Sequence, residues 1–140
     1  MKKRLTIVLL AVLTAVVVIA IVIPMLRVDC TPAWAEDSVT FLYGVGRALR
    51  EYSLAHKGNM PSKLALLYPE YTHDKRILEQ TPSFGIKNRR MALIYWHPPR
   101  LGNAQTPIAQ LVLDPSVKTD YPWRSVVLWG DGHVRLHKGG

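Results

Sequence analysis

The stretch Ser125-Val126-Val127-Leu128-Trp129-Gly130-Asp131-Gly132-His133-Val134-Arg135-Leu136-His137 decides the fold. Two apolar, β-branched runs flank Gly130-Asp131-Gly132, and Asp-Gly between apolar runs is the strongest short-range hairpin signal. Residues 125–129 and 133–137 therefore read as paired strands. Working back along the chain, residues 111–113 form a short strand that Pro115 ends. Residues 102–107 read as loop, and residues 91–96 are an apolar run of strand formers that Pro98-Pro99 stops. Residues 70–88 are mixed and polar, broken by Pro82 and Gly85, and read as a loop without regular structure. Pro61-Ser62 opens a short helix with Leu64 and Leu67 turned inward and Tyr68 beside them, and Pro69 closes it.

Further upstream the period changes. Val39, Leu42, Val45, Leu49 and Tyr52 recur at spacings of three and four, which is one face of a helix over 37–56. Glu36, Asp37 and Ser38 suit its first turn, and Gly58 its C-terminal stop. Gly44 and Gly46 inside it each cost about 1 kcal/mol relative to Ala, and mark close packing or a bend. Gly44-Val45-Gly46 is not a nucleotide loop, because no strand precedes it and the third glycine is missing. One long helix, one short helix and then three or four strands predict an α+β fold, with an amphipathic helix on a small antiparallel sheet.

The first 30 residues are of another kind. They hold 22 of the chain's apolar residues, and residues 5–26 carry no charge. As a helix those 22 residues span about 33 Å, enough for a hydrocarbon core of about 30 Å. The chain thus divides into an N-terminal membrane anchor, 1–30, and a domain, 31–140, of ordinary composition. The apolar run is longer than a cleaved signal needs. Ala33-Trp34-Ala35 before Glu36 nevertheless reads as a small-x-small cleavage site, which keeps removal after Ala35 as the alternative. In the retained form Trp34 serves as an aromatic at the membrane–water interface. Lys2, Lys3 and Arg4 precede the helix, so the N-terminus is expected in the cytoplasm and the domain outside it. Cys30 is the single cysteine of the chain, so no intrachain disulfide forms.

Charge excludes little. The formal +8 comprises +3 in residues 1–30 and +5 in the remainder, a mild excess that does not demand nucleic acid. The densest basic run of the domain is Lys87, Asn88, Arg89 and Arg90. It reads as a solvated loop, or as a surface for acidic polymer, lipid headgroups or DNA phosphates. Asp131 and His133 are the most suggestive polar pair, but in a hairpin turn Asp131 accepts from backbone N–H groups and Gly132 supplies positive φ without any chemistry. His133 and His137 on a strand lie about 13 Å apart and cannot share an ion. No zinc spacing, nucleophile elbow or carboxylate pair suggests an enzyme or a small-molecule substrate.

Three segments together resemble the type II secretion pseudopilin family. The first is the apolar helix at the extreme N-terminus followed by an amphipathic one. The second is Leu49-Arg50-Glu51-Tyr52 through Gly58-Asn59-Met60-Pro61-Ser62, with Leu64, Leu67 and Tyr71 beyond, similar to a helix ending in tyrosine and leading to G-x-x-P-x-x-L-x-x-L. The third is residues 126–134, similar to a C-terminal V-L-F-x-D-G-H-V. The resemblance implies a pilin-like head in the periplasm on a bacterial inner-membrane anchor. It also implies assembly with itself or with other pseudopilin or secretion components. The family's calcium loop corresponds to the region of Asp114 and Asp120; no cofactor is otherwise expected. The chain departs from the family in lacking the Gly and the Phe/Met-Thr-Leu-x-Glu start of cleavable prepilins. The position where a related pattern has histidine, ten before Asp131, is Tyr121.

Overall fold

A computed structural model describes residues 1–26, 31–86, 90–119 and 121–138. It contains two compact units, Met1–Thr31 and Pro32–Gly140. The first is built on α1, Lys2–Leu26. Every side chain of residues 1–23 is exposed. The hydroxyls of Thr6 and Thr14 donate to the carbonyls of Lys2 and Leu10, at 2.9 and 2.8 Å. These bonds satisfy inside the helix the only uncharged polar side chains of the run, as a lipid surrounding requires. The segment Lys2–Ile23 is long and apolar enough to cross a membrane.

The second unit opens with α2, Ala33–Ala55. It starts four residues before the expected position. Pro32 is extended, and its carbonyl accepts from the N–H groups of Ala35 and Glu36 at 2.8 and 3.2 Å, so Ala33-Trp34-Ala35 is already helical. The core face is Trp34, Ala35, Ser38, Phe41, Leu42, Val45, Ala48, Leu49 and Ser53, with Val39 and Tyr52 at its rim. Trp34 is therefore a core residue of this unit rather than an aromatic at a membrane surface. At the far end Gly58, with φ of 87°, donates to the Ser53 carbonyl at 2.7 Å and closes the helix as expected.

The second expected helix is only one 3₁₀ turn, Leu64–Leu67, with both leucines buried. Pro69 bars its extension by forcing Tyr68 into an extended conformation. The segment read as loop is more ordered than expected. It contains a second 3₁₀ turn, Lys75–Leu78, capped by Asp74, whose carboxylate accepts from the Arg76 N–H at 3.0 Å. Ile77 and Phe84 from this segment are core residues. Phe84 meets Phe41 edge-on at 5.3 Å, and the Arg76 guanidinium lies over both rings at 5.2 and 4.9 Å.

Four antiparallel strands follow as a meander: β1 Met91–Tyr95, β2 Pro107–Leu113, β3 Trp123–Trp129 and β4 Val134–Lys138, in spatial order β1-β2-β3-β4. Cross-strand register aligns Leu93, Leu111, Val126 and Leu136 in one row of the face that packs into the core. β2 is longer than its expected three residues because Pro107 takes the first strand position, where its missing N–H is harmless. The outer edge of β1 is not bare. Met91 and Leu93 donate to the carbonyls of Pro82 and Gln80, at 3.1 and 2.8 Å, so the preceding segment covers it. The unit is α+β, with one long helix on a four-stranded antiparallel sheet.

Candidate functional site

The β3–β4 connection forms as its sequence demands. Gly132 N–H donates to the Trp129 carbonyl and Trp129 N–H to the His133 carbonyl, both at 2.9 Å, and Gly132 has φ of 91°. One Asp131 carboxylate oxygen accepts from the His133 N–H at 3.1 Å and is also paired with His133 Nδ1. Burial pulls the Asp131 carboxyl upward, but the bonds from His133 and its charge outweigh this and hold it below the usual carboxylate range. Gly130, Asp131, Gly132 and His133 thus make the structural turn expected of them. The rings of His133 and His137 each lie against Trp129, at 5.8 and 6.0 Å between centroids.

The turn also walls a cleft that the linear sequence did not reveal. Tyr43, Gly46, Arg47 and Arg50 of α2 face Leu101, Gly102, Gly130, Asp131 and Gly132 across a space of about 550 Å³. Tyr43, Arg47 and Arg50 recur at spacings of four and three, so they share one helix face, and all three are exposed. Three of the five residues of the opposite wall are glycines, two of them for a packing reason. A Cβ on Gly130 would lie 2.5 Å from the Gly102 backbone, and Gly130 N–H donates to the Thr106 carbonyl at 2.8 Å. The two glycines let the 102–106 loop and the hairpin turn touch. Neither the Arg47 nor the Arg50 side chain makes a hydrogen bond or ion pair with a described residue. Two guanidinium groups and a half-exposed phenol thus stand across the cleft from three glycines, Leu101 and the Asp131 carboxylate.

The other expected site residues are spread apart. Of the basic run, Arg90 is exposed and lines a second cleft of about 590 Å³ with Thr81, Ala92, Val112, Leu113, Asp114, Pro115 and Ser116. Lys87 and Arg89 lie outside the described residues, as do Asp120 and Cys30. Asp114 accepts from the Ser116 N–H and hydroxyl at 2.7 and 2.5 Å, a turn-capping role. Arg124 donates to the carbonyls of Val117 and Asp114 at 2.7 and 2.8 Å, so a guanidinium already organises this loop. Among the described residues no three or more His, Cys, Asp or Glu side chains come together as a metal site. None of the protein-family models, curated proteins or solved structures compared with this chain matches it.

Proposed function

We propose that the protein is a single-pass, membrane-anchored structural or assembly protein of a bacterial envelope, pseudopilin-like in design. The observation that carries this reading is the pairing of two units. One is an uncharged apolar helix preceded by Lys2, Lys3 and Arg4. The other is an α+β unit that opens with a long helix laid on an antiparallel meander. In this reading the first crosses the bilayer, with the basic flank cytoplasmic and the second unit in the periplasm. The second presents a surface to other subunits. Retention of residues 1–35 agrees with the burial of Trp34 and Ala35, which removal after Ala35 would strip from the core.

Crosslinking of the full-length chain in whole cells tests it. Discrete crosslinked species that disappear when α1 is replaced by a cleavable signal are expected. A strictly monomeric protein without envelope neighbours refutes it. A second reading, an envelope binding module for acidic polymer or lipid, has in its favour the exposed Arg90 at the second cleft. Salt-sensitive retention on anionic vesicles that Arg90→Ala leaves unchanged removes that reading.

A further inference from the structure

The exposed face of α2 is self-complementary about one residue. At 100° per residue, Glu36, Tyr43, Arg47, Arg50 and Leu54 fall within a sector about 60° wide, opposite the core face. All five are exposed, Tyr43 at 51% and Leu54 at 79%. Glu36 and Arg50 each lie seven residues from Tyr43, about 10.5 Å along the axis in opposite directions. Pro32 and Leu54 each lie eleven residues from it. Like those of Arg47 and Arg50, the Glu36 side chain makes no hydrogen bond or ion pair with a described residue.

We infer that this face is a two-fold interface between two copies of the chain, with their α2 helices antiparallel and crossing at Tyr43. In that arrangement Glu36 of each copy meets Arg50 of the other, Leu54 meets Pro32, and the two phenol rings stack at the centre. The cleft beside Arg47 and Arg50, walled on its far side by Leu101, Gly102, Gly130, Asp131 and Gly132, receives the first turn of the other helix. Parallel pairing in register sets Glu36 on Glu36 and Arg50 on Arg50, which repels. A two-fold is also the symmetry by which one patch serves both subunits. The inference rests on the anchored reading, because confinement to a bilayer raises the effective concentration enough for a small interface to suffice.

The test uses the full-length chain in its membrane with Cys30→Ser as background. With a short bismaleimide, Tyr43→Cys is expected to give several-fold more crosslinked dimer than Glu70→Cys, which is exposed but off the stripe. Arg50→Glu or Glu36→Arg alone lowers the wild-type dimer population about fivefold, from two exposed ion pairs made repulsive, and the double exchange restores it. These are surface positions, and an unchanged circular dichroism spectrum with restoration in the double variant excludes misfolding as the cause. Lysine-reactive crosslinking of the wild type separates the two readings. If oligomers form but Tyr43→Cys matches Glu70→Cys, or the double exchange fails to restore them, this interface is overturned while assembly stands. If no oligomer forms at all, both are overturned.

Discussion

Gly44 and Gly46 lie two residues apart in α2, yet replacing each with alanine is expected to affect stability differently, raising it only at Gly44. A helix-interior glycine costs about 1 kcal/mol relative to alanine, so each substitution starts with that gain. At Gly44 the new Cβ meets nothing within 4 Å, and the gain is kept. At Gly46 the Cβ lies 3.0 Å from Leu128 Cδ1. Leu128 is fully buried and held in register between Ala109 and Val134, so it has little room to yield. Overpacking of a core at one methyl costs about 1–3 kcal/mol, leaving Gly46→Ala between neutral and about 2 kcal/mol destabilised. For a unit of about this size, 1 kcal/mol shifts Tm by about 4 °C. Near-ultraviolet circular dichroism of the full chain in detergent, followed through thermal unfolding, should show Gly44→Ala melting several degrees higher and Gly46→Ala unchanged or lower. Shortening the neighbour by Leu128→Val should relieve the contact, so that Gly46→Ala becomes stabilising on that background. A rise in Tm for both single variants, or a fall for Gly44→Ala, refutes the assigned packing of α2 on the sheet.

Further outcomes follow from the same contacts. Tyr95 donates its hydroxyl to the Pro61 carbonyl at 2.8 Å, and burial pushes its pKa up to about 12. Tyr95→Phe should cost about 1 kcal/mol in urea unfolding at pH 7. Because the folded pKa lies above the unfolded value near 10, the wild type should lose that stability between pH 10 and 12, and the Phe variant should not. Asp74 is held below the usual carboxylate range by side-chain hydrogen bonds from Arg76. Its contribution is present above the unfolded pKa near 4 and is lost as pH falls through the lower folded value. Asp74→Asn should therefore cost about 1 kcal/mol at pH 7 and progressively less as pH falls below about 4, and a penalty that does not change with pH refutes the linkage. Intact mass of the membrane-extracted chain should include residues 1–35. A chain starting at Glu36 should lose about 3 kcal/mol or more with Trp34, measured by chemical denaturation. A C-terminal reporter active only outside the cytoplasm should work, and silence reverses the orientation.

The Asp131 turn was legible because the bonds that close it are local: Trp129, Asp131, Gly132 and His133 bond to one another, and only Gly132 needs a left-handed backbone, whereas the Gly130 bond to the Thr106 carbonyl was not foreseen. The N-terminal apolar helix was legible for a similar reason, since length and apolarity alone define a helix able to cross a membrane. The start of α2 was not. Ala33-Trp34-Ala35 reads equally as a cleavage signal, and only packing in the second unit shows it to be a helical turn facing the core. The segment 70–86 looked like featureless loop because its order comes from distant partners. Phe84 rests on Phe41, and Gln80 and Pro82 pair with β1. The cleft was hidden for the same reason. Arg47 and Arg50 lie more than 50 residues from Gly102 and about 80 from Gly130, and no spacing rule links them.

By itself, the sequence determined the division into an apolar leader and an α+β unit, the hairpin turn and the helical period of α2. Each of these depends on interactions within a few residues, or on the bulk apolarity of a segment. Tertiary structure decided which α2 residues are core and which form the charged stripe, and which glycines are there for close approach. It also decided that a guanidinium organises the loop after β2. These outcomes depend on what a distant segment places opposite each side chain, and burial against a partner is a property that no local pattern contains.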